Sequence, residues 1–68
     1  MPYINVKIAA PEPSVEQKEQ IIAEITDVMV RVLGKKPERV MVMLETLPAT
    51  DIGVGGESVA NIAKKATK

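Results

Sequence analysis

The chain has 68 residues, nine basic and nine acidic, for a formal charge of zero, with no cysteine, no histidine and a single aromatic residue, Tyr3. That composition closes off disulfides, thiol chemistry and imidazole-based metal ligation, and it gives no basic, aromatic-studded face for nucleic acid. A single domain this short buries only about 60% of the surface of its unfolded form, so with disulfides closed off and metal ligation disfavoured its stability is expected to come from association with other copies.

The N-terminal stretch Tyr3 to Ile8 alternates, with Ile4, Val6 and Ile8 on one side and Tyr3, Asn5 and Lys7 on the other, which predicts a strand. Pro2 precedes it. If the initiator methionine is removed, the ring nitrogen of Pro2 becomes a free secondary amine able to act as a base; with Met1 retained it is an amide with no basicity. By position alone, a proline opening an edge strand needs no chemical role, since it has no donor to lose from a ladder. Ala9-Ala10-Pro11-Glu12-Pro13 then breaks the pattern, because each proline removes a donor and biases its predecessor away from helix.

Ser14 followed by Gln17 three residues later forms the pattern of a capping box, and a helix should start there. Ile21, Ile22, Ile25, Val28, Met29, Val32 and Leu33 recur at helical spacing, with Lys18, Glu19, Asp27 and Arg31 largely off that stripe. Asp27 and Arg31 stand four apart and are placed to pair. Gly34 suits the left-handed residue after the last turn, and Pro37 prevents the helix from resuming.

Val40 to Leu44 is a second strand, apolar without alternation, so it asks for cover on both faces. The crossover between the two strands is long enough for a helix, which predicts a right-handed parallel β-α-β unit. One helix covers one face of a two-stranded sheet. The other face, carrying either Met41 and Met43 or Val40, Val42 and Leu44, is left for other subunits. Glu45 to Asp51 reads as a connecting segment, and Gly53, Gly55 and Gly56 as a tight turn or hairpin rather than a phosphate loop, whose spacings they do not match. Glu57 to Lys68 is expected to form a short terminal helix, its lysines complementing the helix dipole. No apolar run is long enough to span a bilayer and no leader pattern is evident, so a cytoplasmic protein without membrane contact is expected.

In order and spacing, Pro2 opening a strand, Glu16-Gln17-Lys18 early in the helix, an apolar second strand and Gly53-Val54-Gly55-Gly56 followed by Glu57 and Ser58 closely resemble the 4-oxalocrotonate tautomerase family, in particular its small DmpI-like members. The resemblance covers roughly the first 58 residues. It implies one α/β domain over 1–68, with a core over 2–58 and a tail over 59–68. Its protomer would be β-α-β, with two parallel strands, one long helix, a C-terminal hairpin and a short terminal helix. It also implies a homo-oligomer, expected as a hexamer with a dimer as building block, that works on a small-molecule acid without metal or cofactor. In such a protein Pro2 would be the general base that moves a proton between carbons of an enolised 2-oxo acid, its pKa depressed by a water-poor pocket.

Aligned on the glycines, the family's second-strand arginine falls on Met41 and its aromatic wall residue on Ile52, while the arginine after the first strand has no counterpart between Ala9 and Pro13. Met41 and Ile52 are then expected as an apolar wall and Ala9 as a backbone amide donor. Arg39, two residues before Met41, is the nearest substitute cation, provided the strand already runs there. The missing arginines also motivate an alternative, a catalytically idle oligomer that binds a ligand or partner. Hydration or dehalogenation of an unsaturated acid, as in related branches, is disfavoured by the scarcity of cations.

Overall fold

The computed structural model describes residues 1–66. Strand β1 (Tyr3–Ala9) leads to helix α1 (Val15–Leu33), a 3-10 turn over Pro37–Arg39 and strand β2 (Met41–Leu47). A second 3-10 turn (Ala49–Asp51) is followed by the short strands β3 (Gly53–Val54) and β4 (Glu57–Ser58), and then by helix α2 (Val59–Ala66). β1 and β2 are parallel and in register from Tyr3 opposite Met41 to Ala9 opposite Leu47, which is the β-α-β unit the sequence predicts.

Both ends of α1 are fixed by the residues expected to fix them. The Ser14 side chain accepts from the Gln17 amide at 3.1 Å, and the Gln17 side chain accepts from the Ser14 amide at 2.9 Å, so two orphan amides of the first turn are satisfied reciprocally. At the other end Gly34 adopts φ 68°, and its amide reaches back to the Val30 carbonyl. A side chain is costly in that conformation, which is why glycine stands there.

Three expectations need correction. β2 runs on through Glu45, Thr46 and Leu47, which read as a connection in the sequence. Pairing decides this: the Glu45 carboxylate meets Lys7 across the strands at 2.9 Å, and the Leu47 carbonyl accepts from Ala10 at 2.9 Å. At its start β2 begins at Met41, and Arg39 lies in the 3-10 turn, so strand alternation does not carry Arg39 to the face of Met41. Glu57 and Ser58 belong to the hairpin rather than the terminal helix, and Ser58 caps α2 by accepting from the Asn61 amide at 3.1 Å. The hairpin turns on Gly55 and Gly56, both at positive φ, the pattern of a two-residue primed turn. Lys68, part of the predicted helix, lies outside the described residues.

The helix covers one face of the sheet. Ile4, Val6, Ile8, Val42 and Leu44 turn toward α1 and are half-buried, as are Ile21, Ile25 and Met29 at four-residue intervals on the helix. Of the predicted stripe, Ile22, Val28, Val32 and Leu33 stay exposed, the last two at 68% and 56%. A two-stranded sheet is narrower than that stripe. The opposite face of the sheet carries Tyr3, Met41 and Met43, exposed at 64%, 43% and 38%. The choice left open in the sequence is thus resolved: Met41 and Met43 form the uncovered side.

Among the described residues none is fully buried. The radius of gyration is 15.5 Å, with extents of 47 × 25 × 16 Å, where a compact chain of this length measures about 11 Å. The excess arises because residues 49–66 pack chiefly on one another and extend away from the β-α-β unit. No helix among the described residues is long and apolar enough to cross a membrane.

Candidate active site

In a parallel β-α-β unit both strands start at the same end, and the helix, running the opposite way, finishes there. That end holds Pro2. Its carbonyl accepts from the Met41 amide at 3.0 Å, so Pro2 is joined to the first rung of the ladder by its oxygen. Met1 precedes it, with the Tyr3 hydroxyl 3.5 Å from the Met1 sulfur. A cavity of about 350 Å³ is lined by Met1, Pro2, Gly34, Lys35, Lys36 and Arg39.

The predicted site residues therefore separate into two groups. Pro2 and Arg39 share this cavity. Met41 is bonded to Pro2 through its backbone, but its side chain stands on the uncovered sheet face beside Tyr3. Ala9 ends β1, seven residues from Pro2, which at about 3.3 Å per residue is roughly 23 Å away. Ile52 lies in the C-terminal arm, where its carbonyl accepts from the Val59 amide at 2.8 Å. One protomer does not bring Ala9 or Ile52 to Pro2.

Lys35 and Lys36 were not singled out in the sequence, although a signal was present: two lysines directly after the Gly34 cap, at the helix end that parallel topology returns to Pro2. Their electrostatic state is distinctive. Lys7 is paired with Glu45, Lys18 with Glu12, Arg31 with Asp27 at 2.6 Å and Lys65 with Glu57 at 2.6 Å, and Lys64 also has a partner. Lys35, Lys36 and Arg39 are the cations without a side-chain partner among the described residues, and all three line the Pro2 cavity.

A second cavity, of about 500 Å³, lies between the loop after β1 and α1, lined by Pro11, Glu12, Pro13, Gln17, Gln20, Ile21 and Glu24. Its charged lining is acidic. The Glu12 carboxyl is held below its ordinary value by a hydrogen bond from Lys18 and by that ammonium's charge. No cluster of metal-ligating side chains occurs among the described residues.

Comparison with known proteins adds a frame for this geometry. The family model described as tautomerase enzyme matches residues 2–62. A probable tautomerase of Campylobacter jejuni is 48% identical over 68 residues, covering 100% of both chains. A 2-hydroxymuconate tautomerase of Pseudomonas fluorescens is 39% identical over 47 residues, 69% of this chain and 75% of that one. Among solved structures, DmpI from Helicobacter pylori superposes with a TM-score of 0.87 at 35% identity, covering 93% of this chain and 97% of that one.

Proposed function

The chain belongs to the tautomerase family, and from that premise we propose that it is an isomerase catalysing keto-enol or 1,3-/1,5-proton transfer on a small unsaturated 2-oxo or 2-hydroxy acid, with Pro2 as general base once Met1 has been removed. The observation that carries the reading is the position of Pro2. It opens strand β1 at the rim of a cavity, bonded to the ladder through its carbonyl alone. A secondary ammonium in water holds its proton too tightly to serve near neutrality. Desolvation in an enclosed site, together with nearby cations, disfavours the charged form and brings the amine into a useful range.

The site is completed by association. β1 has a free edge, since β2 is its one partner in the sheet. Two copies pairing antiparallel along that edge, about a two-fold axis between Asn5 and Val6, set Pro2 of one opposite Ala9 of the other. That arrangement supplies an Ala9 amide to a substrate held at Pro2. The exposed methionine face and the extended arm carrying Ile52 offer the further contacts through which copies enclose the cavity, and a hexamer built from such dimers accommodates both. Arg39 then serves as a cation for the substrate carboxylate, and Met41 and Ile52 as apolar wall.

The test is turnover of 2-hydroxymuconate or an arylenolpyruvate by protein shown by intact mass to lack Met1. Pro2→Ala should abolish most of it. Equal rates for the two proteins would remove Pro2 from the mechanism, and no turnover of any enol acid would favour the idle-oligomer alternative.

A further inference from the structure

We propose that the turn between α1 and β2 is the anion-recognition element of this site, with Lys35, Lys36 and Arg39 holding the two carboxylates of a dianionic enol acid beside Pro2. The inference rests on the reading of Pro2 as base and adds which groups select and orient the substrate.

Three observations carry it. The described cations that lack a partner coincide with those lining the Pro2 cavity, while the others are committed elsewhere. The turn places three positive charges within five residues, and its one carboxylate, Glu38, neither lines the cavity nor pairs with them. Like charges gathered this closely repel, and a bound anion relieves that repulsion. Finally, the second cavity has Glu12 and Glu24 as its charged lining, with no cation among its lining residues, so of these two cavities in the protomer it is the Pro2 one that offers positive charge to an anion.

The ordinary account of lysines at a helix C-terminus is that they complement its dipole. For α1 that role already belongs to Arg31, in the last turn. Lys35 and Lys36 lie beyond the Gly34 cap, and Arg39 belongs to the following 3-10 turn. The dipole gives no reason for Arg39 to share their cavity. Three cations exceed what one carboxylate requires, which points to a diacid. The guanidinium offers a two-pronged fork to one carboxylate and the lysines are mobile point charges for the second.

The experiment has two arms, so that failure here is separable from failure of the Pro2 reading. Uniformly labelled protein is titrated with adipate, a saturated diacid that cannot tautomerise, and with hexanoate as the monoacid control. Saturable amide shifts centred on Lys35, Lys36 and Arg39, stronger for adipate and weakened by salt, are expected. Shifts absent from this turn, or spread over Lys7, Lys18 and Arg31, overturn the inference whether or not the protein turns over any substrate. In the kinetic arm, the combined variant Lys35→Gln, Lys36→Gln and Arg39→Gln should raise KM for 2-hydroxymuconate by about tenfold or more while kcat changes by less than about threefold, the signature of lost binding. Arg31→Gln, which removes a charge already paired with Asp27, should leave both constants unchanged. An unchanged KM in the triple variant, with Pro2→Ala still inactive, sinks the anion site and leaves the base in place.

Discussion

The Met41 amide donates to the Pro2 carbonyl at 3.0 Å, so the parallel ladder starts one residue before β1 itself. This bond ties the oxygen of Pro2 to the sheet, while its nitrogen has no ladder role and would be free for the proposed chemistry once Met1 is removed. Pro2→Ala should therefore keep the fold and lower kcat by about 10²- to 10⁴-fold, the usual span for loss of a general base. In preparations that retain Met1 on part of the molecules, activity should scale with the fraction trimmed, measured by intact mass.

The uncovered sheet face gives a second prediction. Met43 is exposed beside Tyr3 and Met41 in the protomer, and in the proposed assembly it is enclosed. Met43→Glu should then place an unpaired charge inside an interface, which costs several kcal/mol. Light scattering should show the particle shifting toward smaller species. An unchanged mass would mean that this face stays in water.

Helix capping supplies a third. Ser14→Ala removes an acceptor from the first turn and should destabilise the protein by about 1 kcal/mol. Gly34→Ala forces a side chain into φ 68° and should cost a similar amount, about 1 kcal/mol. Urea unfolding at fixed protein concentration checks both.

Two carboxylates set the acid limb. Glu45 is held below its ordinary value of 4.5 chiefly by a hydrogen bond from Lys7, then by one from Asn5 and by the charge of Lys7. Glu12 is lowered by Lys18 in the same way. A carboxyl whose pKa falls on folding contributes stability above its ordinary value and loses it as pH drops through the folded one. Stability should thus be flat with respect to these groups near neutrality and decline below about pH 4.5. Both side chains are exposed in the protomer, at 63% for Glu12 and 48% for Glu45, so the decline should be shallow and should be flattened by salt. Glu45→Gln should reduce that slope in thermal unfolding across the same range.

What the sequence disclosed followed from how local each signal is. Ser14, Gln17 and Gly34 act within one helical turn, and all three behave as read. The paired glycines at 55 and 56 announced a turn for the same reason. The end of β2 escaped because its extension depends on Lys7 meeting Glu45 across 38 residues of chain, which no local pattern encodes. Arg39 lines the Pro2 cavity from a 3-10 turn, so the condition on which it would share the face of Met41, a strand already running there, is not met. Lys35 and Lys36 were overlooked because they looked like ordinary charges after a helix, until topology brought that helix end to the first strand. Ala9 and Ile52 stay remote from Pro2 because the chain alone does not contain the symmetry that would join them.

The nineteen residues of α1 rise about 28 Å, against roughly 23 Å for the seven-residue strands beneath it. The helix thus works as a ruler, delivering its last cap to the level at which both strands begin. One residue inserted into it would swing Lys35 and Lys36 about 100° around the axis. Length changes should therefore be tolerated between Ala10 and Pro13, where a loop absorbs them, and rejected between the two caps.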